Sequence, residues 1–196
     1  MSRKMLFFDI DGTLVAEGTH YLPQSAVNAI RKARENGHLA FINTGRTRFN
    51  IDDFLENIGF DGYVCGCGTA IYVGEKTIFK NTLTKEYCRE IIEMLRTCNI
   101  TAVFEEENRV FFDEELPDHK ILHDLRARFG TKAFDIPKSL EDGEILFDKF
   151  VVWVNTVSDY KAFYNYISEE FDCIDRGAGM YEIVPKGISK ASGIQM

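Results

Sequence analysis

The sequence has no apolar run approaching the ~18 residues of a membrane-spanning helix. It also shows no secretory leader pattern, because MSRKMLFFDIDG reaches Asp9 after the short apolar run Met5 to Phe8, far short of a signal-peptide core. Positive charge is not in excess: 23 Lys and Arg face 31 Asp and Glu, giving a net charge of -8 and a pI near 5.1. That balance argues against a protein that works by neutralising nucleic-acid phosphates. No CxxC pair suggests zinc, and Cys65 and Cys67 stand too close for an easy disulfide within an odd total of 5 cysteines. Internal repeats and low-complexity tracts are absent as well. These absences predict a soluble, reduced, cytoplasmic protein with neither a membrane nor a nucleic-acid partner.

What is present fits a globular chain. An apolar fraction of 45% supplies a core, and 196 residues suffice for one domain or two small ones. Met5–Phe8 reads as a short buried strand that stops at Asp9-Ile10-Asp11-Gly12. Ala26, Val27, Ile30 and Ala33 mark a helix face after Pro23, with Gly37 as its stop. Leu39–Ile42 is a second buried strand, ending in Asn43-Thr44-Gly45-Arg46. A second helix should turn Phe54, Leu55 and Ile58 inward and close at Gly59, and Tyr63–Cys65 is a third strand. This order predicts a parallel sheet with crossover helices. The pattern then changes. Tyr72–Phe79 should form a hairpin about Gly74, and Thr84–Cys98 a helix. Strands at Thr101–Phe104 and Val110–Phe112 should flank a solvated acidic turn, Glu105 to Asn108. A helix over Pro117–Phe129, a weakly patterned stretch at 130–145, a strand over Phe147–Val154 and a helix over Asp159–Ser168 come next. Two strands within Phe171–Val184, joined near Gly177 and Gly179, complete an α+β unit inserted into an α/β unit.

Chemistry concentrates in Phe7-Phe8-Asp9-Ile10-Asp11-Gly12-Thr13-Leu14. Two carboxylates one residue apart, at the carboxyl end of a buried strand, stand where open α/β sheets place their sites. In an extended segment their side chains point the same way. Gly12 removes bulk and lets backbone N–H groups approach an anion. One carboxylate can attack phosphorus while the other protonates the leaving oxygen and later activates water. The plainer reading is an aspartate-rich turn without a role; an EF-hand loop is excluded by the absence of its later ligands. Thr44-Gly45-Arg46, at the end of the second strand, offers a hydroxyl and backbone N–H groups for a phosphate, although such tripeptides are common in turns. Lys186-Gly187-Ile188-Ser189-Lys190 could bring an ammonium to phosphoryl charge. By residues alone that segment is as well read as a solvated lysine pair.

Taken together, the DIDGTL segment, the strand-end threonine and the late lysine resemble the motifs of the haloacid dehalogenase superfamily of phosphohydrolases. The insert between the second and third motifs resembles the Cof-type sugar-phosphatase branch. The resemblance implies a Rossmann-like α/β core, formed by residues 1–80 and 182–196, with an α+β cap at 81–181 that closes over substrate. It implies that Asp9 forms an aspartyl-phosphate and that Asp11 is acid and base, an aspartate that separates this chain from the P-type ATPase branch. Gly12, Thr44 and Gly45 would bind the phosphoryl group, Lys190 or Lys186 would stabilise its charge, and Arg46, Cys67 and Gly68 would meet substrate. Mg2+ would be held by Asp9 and the Asp11 carbonyl. Cys67-Gly68 stands where the branch usually has Asn-Gly. The family's fourth motif, which completes the magnesium site, has no counterpart before Met196, so the later part of the core is expected to be lacking. The activity implied is Mg2+-dependent hydrolysis of a small phosphorylated metabolite, with sugar phosphates foremost. A phosphotransferase or mutase of the same superfamily, or a non-catalytic phosphate-binding protein, are the alternatives.

Other features read as structural. His119 and His123 have zinc-ligand spacing on a helix but read as an exposed face, since too few other donors accompany them. Trp153 reads as cap core. Tyr160, Phe163, Tyr164 and Tyr166 crowd one helix, as core or as a dimer face.

Overall fold

The first apolar run, Met5–Phe8, is β1, yet it is not the buried strand expected: among the described residues it stands at the edge of its sheet, with Met5 exposed and Leu6 to Phe8 half-buried. The computed structural model describes residues 2–16, 21–141 and 143–196. Its described residues divide into two compact units. One comprises residues 1–80 and 187–196, and the other, inserted between them, residues 81–186.

In the first unit, β1 pairs in parallel with β2 (Leu39–Asn43), and β2 in parallel with β3 (Gly62–Cys65). Strands β4 (Ala70–Val73) and β5 (Lys76–Lys80) then add antiparallel, giving the order β1-β2-β3-β4-β5. Alternation along the strands sorts the two faces. Ala40, Ile42, Tyr63 and Cys65 face one core, shared with Val27 and Ile30 of α1 (Gln24–Glu35) and with Ile51, Leu55 and Ile58. The second helix is shorter than expected. Here α2 spans only Asp53–Glu56, with Leu55 buried and Phe54 37% exposed, so Ile58 reaches the core from the segment after it.

The opposite face carries Phe41, Asn43 and Val64, with Phe7 stacked on Phe41 at 5.0 Å. A helix not foreseen in the sequence packs there, α6 in this chain (Lys190–Gln195). Two glycines permit its close approach. A Cβ on Gly68 would stand 2.4 Å from the Ser189 carbonyl oxygen, and one on Gly193 would stand 2.6 Å from Val64 Cγ1.

In the inserted unit, a six-stranded sheet runs β10-β11-β9-β6-β7-β8. These are β6 (Thr101–Glu105), β7 (Val110–Phe112), β8 (Ala133–Asp135), β9 (Lys149–Trp153), β10 (Phe171–Gly177) and β11 (Met180–Pro185). Helices α3 (Lys85–Thr97) and α5 (Tyr160–Ile167) bury Ile91, Ile92, Leu95, Phe163 and Ile167 in one core with Phe104, Phe150 and Ile183. Phe150 is fully buried there, within 6.5 Å of the Phe104, Phe147, Phe163 and Phe171 ring centres. Helix α4 (Lys120–Phe129) serves the other face: His119 stacks on Trp153 at 5.9 Å and Arg126 lies 4.4 Å over Phe112.

Several expectations change. Residues 182–185, expected in the core unit, belong to β11, whose Ile183 pairs with both Phe150 and Cys173, so the boundary falls after Lys186. Glu105 is not in a solvated turn. It ends β6, is 8% exposed, and faces its register partner Lys149, whose ammonium also contacts Glu182. The weakly patterned stretch holds β8, a strand of only Ala133–Asp135 paired parallel to β7. Of the crowded aromatic helix, Phe163 is core, Tyr160 stacks on Tyr181 at 4.6 Å, and Tyr164 is exposed. Among the described residues no helix is long and apolar enough to cross a membrane.

Candidate active site

The carboxyl ends of β1, β2 and β3 deliver the three segments that matter, as parallel sheets do. After β1 the chain leaves the ladder and turns back within six residues. Thr13, Leu14 and Val15 N–H groups all donate to the Ile10 carbonyl, and Gly12 N–H donates to Val15 O at 2.9 Å. Buried Ile10, Leu14 and Val15 nail this turn to the core, while Gly12 takes a φ of 74° that a side chain would resist. Asp9 and Asp11 are thus held on a turn fixed from beneath.

Each carboxylate meets a cation. Lys190 Nζ donates to Asp9 Oδ2 at 2.5 Å, and Ile10 N–H donates to Asp9 Oδ1 at 2.8 Å. Arg46 grips Asp11 with a two-pronged fork, Nη2 to Oδ1 at 2.7 Å and Nε to Oδ2 at 3.0 Å. The third edge of the guanidinium is occupied behind it: Nη1 donates to Asp52 Oδ2 at 2.8 Å and to the Asn50 carbonyl at 3.2 Å. The Asp11 hydrogen bonds raise the Arg46 pKa above its already high ordinary value, although burial opposes them.

The loops after β2 and β3 strap one another. Thr44 N–H donates to Val64 O, Gly66 N–H to Arg46 O, and Cys67 N–H to Thr44 O, at 2.8–3.0 Å. Thr44 is 1% exposed, and its Oγ1 accepts from Arg46 N–H at 3.2 Å, with the hydroxyl proton in addition as a donor. Gly45 lies half-buried between them. Cys67 is buried with a φ of 59°, and Gly68 follows against the Ser189 backbone.

Of the expected residues, the structure gathers Asp9, Asp11, Gly12, Thr44, Gly45, Arg46, Cys67, Gly68 and Lys190 in the first unit. It separates the two lysines. Lys190 pairs with Asp9, whereas Lys186 closes the inserted unit, its N–H bonded to Glu170 O at 2.8 Å. Three supporting residues gave no sign in the sequence. Asn43 Nδ2 donates to the Lys190 carbonyl at 3.1 Å, tying α6 to β2, and Asp52 with Asn50 anchors Arg46. A fourth, Ser189, had a faint signal. Ser189 and Ser192 satisfy each other's N–H groups as a capping box, which a Ser-x-x-Ser spacing permits although Glu is the usual partner.

Elsewhere, His119 Nδ1 caps α4 by accepting from Ile121 N–H at 3.3 Å, and His123 pairs with Asp118 at 3.2 Å. Among the described residues no group of three or more His, Cys, Asp or Glu side chains gathers as a metal cluster. The end of β1 offers hard oxygen donors in the Asp9 and Asp11 carboxylates and the backbone carbonyls beside them. Magnesium takes one or two carboxylates and fills its other positions with substrate oxygens and water, so this donor set fits it in kind.

Paired aspartates after the first strand, a threonine after the second and a lysine on the first carboxylate define a site of one class. The model of the haloacid dehalogenase-like hydrolases matches residues 6–196, and the chain belongs to that family of enzymes. Among curated relatives, it is 26% identical over 199 residues to YkrA of Bacillus subtilis (strain 168), provisionally named a phosphatase, covering 100% of this chain and 73% of YkrA. Among solved structures, a protein of Geobacillus kaustophilus HTA426 described only as hypothetical has a TM-score of 0.78 at 25% identity, covering 99% of this chain and 73% of that one. The sugar phosphatase BT4131, of subclass IIB of the same superfamily, has a TM-score of 0.75 at 24% identity, covering 99% and 74%, and shares the fold.

Proposed function

We propose that this chain is a phosphatase that hydrolyses phosphomonoesters through a phosphorylated Asp9. The observation that carries the reading is the Asp9 carboxylate at the end of β1, held at 2.5 Å by Lys190 beside the Thr44 and Asp11 segments. An Asp9 oxygen attacks phosphorus and the ester P–O bond breaks, the leaving oxygen taking a proton from Asp11. Water then attacks the same phosphorus, gives its proton to Asp11, and the Asp9–phosphoryl bond breaks to release orthophosphate. Ile10 N–H on Asp9 Oδ1 fixes the carboxylate so that its other oxygen, the one held by Lys190, is aimed. As the attack removes negative charge from Asp9, Lys190 can shift its hydrogen bond to the phosphoryl oxygens. Thr44 supplies a hydroxyl donor from a buried position. Mg2+, held by the Asp9 carboxylate and the Asp11 carbonyl, would neutralise charge between nucleophile and phosphate. In this reading the inserted unit is the family's cap and sets specificity, and small sugar phosphates are the substrate class, on the likeness to the sugar-phosphatase branch.

Asp9→Asn tests the assignment with p-nitrophenyl phosphate. The amide is nearly isosteric but cannot displace an alcohol from phosphorus at a useful rate, so turnover should vanish while the fold persists. Retention of more than a few per cent of wild-type turnover, contamination excluded, would refute the nucleophile. A panel of hexose and pentose phosphates tests the substrate class, and transfer to a sugar without orthophosphate release would reveal a phosphotransferase instead.

A further inference from the structure

We infer that Arg46 is an oxyanion-binding residue of this site, a pre-set fork for two phosphoryl oxygens in which Asp11 is the resident placeholder. The inference rests on the phosphatase reading and deepens it. Its first support is how Arg46 is held. Asp52 and the Asn50 carbonyl occupy Nη1 from behind, at 2.8 and 3.2 Å, so the guanidinium plane is fixed and its Nε–Nη2 edge is presented forward. That edge carries two parallel N–H donors, the geometry that matches two oxygens on one carbon or one phosphorus. Its second support is the asymmetry of the pair. The Arg46 side chain is 11% exposed and the Asp11 side chain 59% exposed, so the fork is embedded and its present occupant faces solvent. Its third support is position: the Arg46 backbone is strapped to Thr44 and Gly66 in the loops after β2 and β3, and its side chain reaches Asp11 in the turn after β1.

A carboxylate and a phosphoryl group offer the same two-oxygen face, and Asp11 cannot both fill the fork and reach a leaving oxygen. When a phosphomonoester enters, two of its oxygens take Nε–H and Nη2–H, and Asp11 swings out of the fork to the ester oxygen. Binding would then place the acid, because the arriving group displaces it.

The test measures inorganic phosphate binding to the 196-residue chain in the presence of Mg2+, by calorimetry, for wild type, Arg46→Gln, Arg46→Lys, Asp52→Asn, Asp11→Asn and the Asp11→Asn/Arg46→Gln pair. Losing a charged two-pronged contact should weaken phosphate about tenfold or more in Arg46→Gln. Arg46→Lys, which keeps the charge but not the fork, should recover only part of that loss, and Asp52→Asn should show a smaller loss. Asp11→Asn should bind phosphate more tightly than wild type, and most of that gain should disappear in the Arg46→Gln background. A purely structural Arg46 would lower thermal stability and leave the phosphate Kd unchanged, which overturns the inference. Equal gains from Asp11→Asn with and without Arg46 overturn it as well, since the gain would then be general charge removal. Turnover of p-nitrophenyl phosphate by wild type with an unaltered Kd in Arg46→Gln defeats the fork alone. A wild-type chain that neither binds phosphate nor turns over defeats the phosphatase reading with it.

Discussion

Replacing Gly68 by alanine should disable the site through the packing of α6. The new Cβ would stand 2.4 Å from Ser189 O and 3.0 Å from Ser189 C, both backbone atoms. Heavy atoms settle at roughly 3.5 Å, so the start of α6 must retreat by about 1 Å. Lys190 is the next residue, and its 2.5 Å contact with Asp9 and the 3.1 Å bond from Asn43 to its carbonyl would both open. A displacement of about 1 Å at a reacting group costs on the order of 100-fold in rate. The φ of 104° adds backbone strain, typically about 1–2 kcal/mol for a residue with a Cβ. Gly37→Ala is the matched control: its φ is 86° and nothing lies within 4 Å of the added carbon, so it carries strain without displacement. The assay is kcat/KM for p-nitrophenyl phosphate beside the denaturant midpoint. Gly68→Ala should lose both rate and stability, and Gly37→Ala stability alone. If Gly68→Ala kept wild-type kcat/KM while destabilised no more than Gly37→Ala, the argument that packing of α6 positions Lys190 would fall. Should Gly68→Ala not fold, Gly193→Ala pushes the same helix: its Cβ would stand 2.6 Å from Val64 Cγ1, with Gly68 Cα at 3.3 Å and Ile71 Cδ1 at 3.9 Å, and Val64→Ala should relieve the tightest of these contacts and restore most of the loss.

The two lysines of the late motif should part company in kinetics. Lys190→Met should cut kcat by about 100-fold or more, the cost of one lost charge-stabilising donor, and Lys186→Met should leave it near wild type; the opposite ranking would contradict the pairing seen with Asp9. Glu182 should give the inserted unit an acid-sensitive stability. Burial pushes its carboxyl up, but Lys149 and Arg176 outweigh burial and hold it down at about 2. A lowered folded pKa means stability that is complete above the unfolded value, near 4.5, and is lost as pH falls from there toward 2. Glu182→Gln should flatten that acid limb in urea melts and, by taking from buried Lys149 a closer carboxylate than Glu105 at 3.7 Å, cost roughly 3 kcal/mol at neutral pH. An unchanged acid limb would refute the assignment.

Most strands and helices were legible because their causes are local. Met5–Phe8 and Leu39–Asn43 are short apolar runs bounded by polar turns, and α3 and α5 carry an apolar face with a capping Thr84 or Asp159. The failures share the opposite property. Glu105 looked like a turn residue because a carboxylate is seldom buried, and Lys149, forty-four positions on in sequence but opposite it in register, helps make its burial tolerable. Helix α6 was missed because Lys190-Ala-Ser-Gly-Ile-Gln has almost no apolar face; it exists through its capping box and through glycines that let it lie on Val64. The motif residues of the site announced themselves at their strand ends, since the chemistry demands those types there. Asn43, Asn50 and Asp52 did not, because a residue that orients another is defined by its partner's position.

Two of the ionic clusters in this chain answer to different physics, although both pair carboxylates with cations. In the inserted unit Lys149, Glu105 and Glu182 are each under 10% exposed and lie on neighbouring strands of one sheet, so none can leave its partner without stranding a buried charge. That cluster fixes strand register, and its rigidity is what folding requires of it. At the end of β1 one partner of each pair is embedded or tethered while the carboxylates reach solvent: Asp9 is 37% and Asp11 59% exposed in their side chains. Water can replace a lost contact there, so exchanging a carboxylate for a phosphoryl group costs little. A site that must trade its own anions for a substrate's needs pairs of this second kind, strong enough to hold the cations in place and exposed enough to let the carboxylates go.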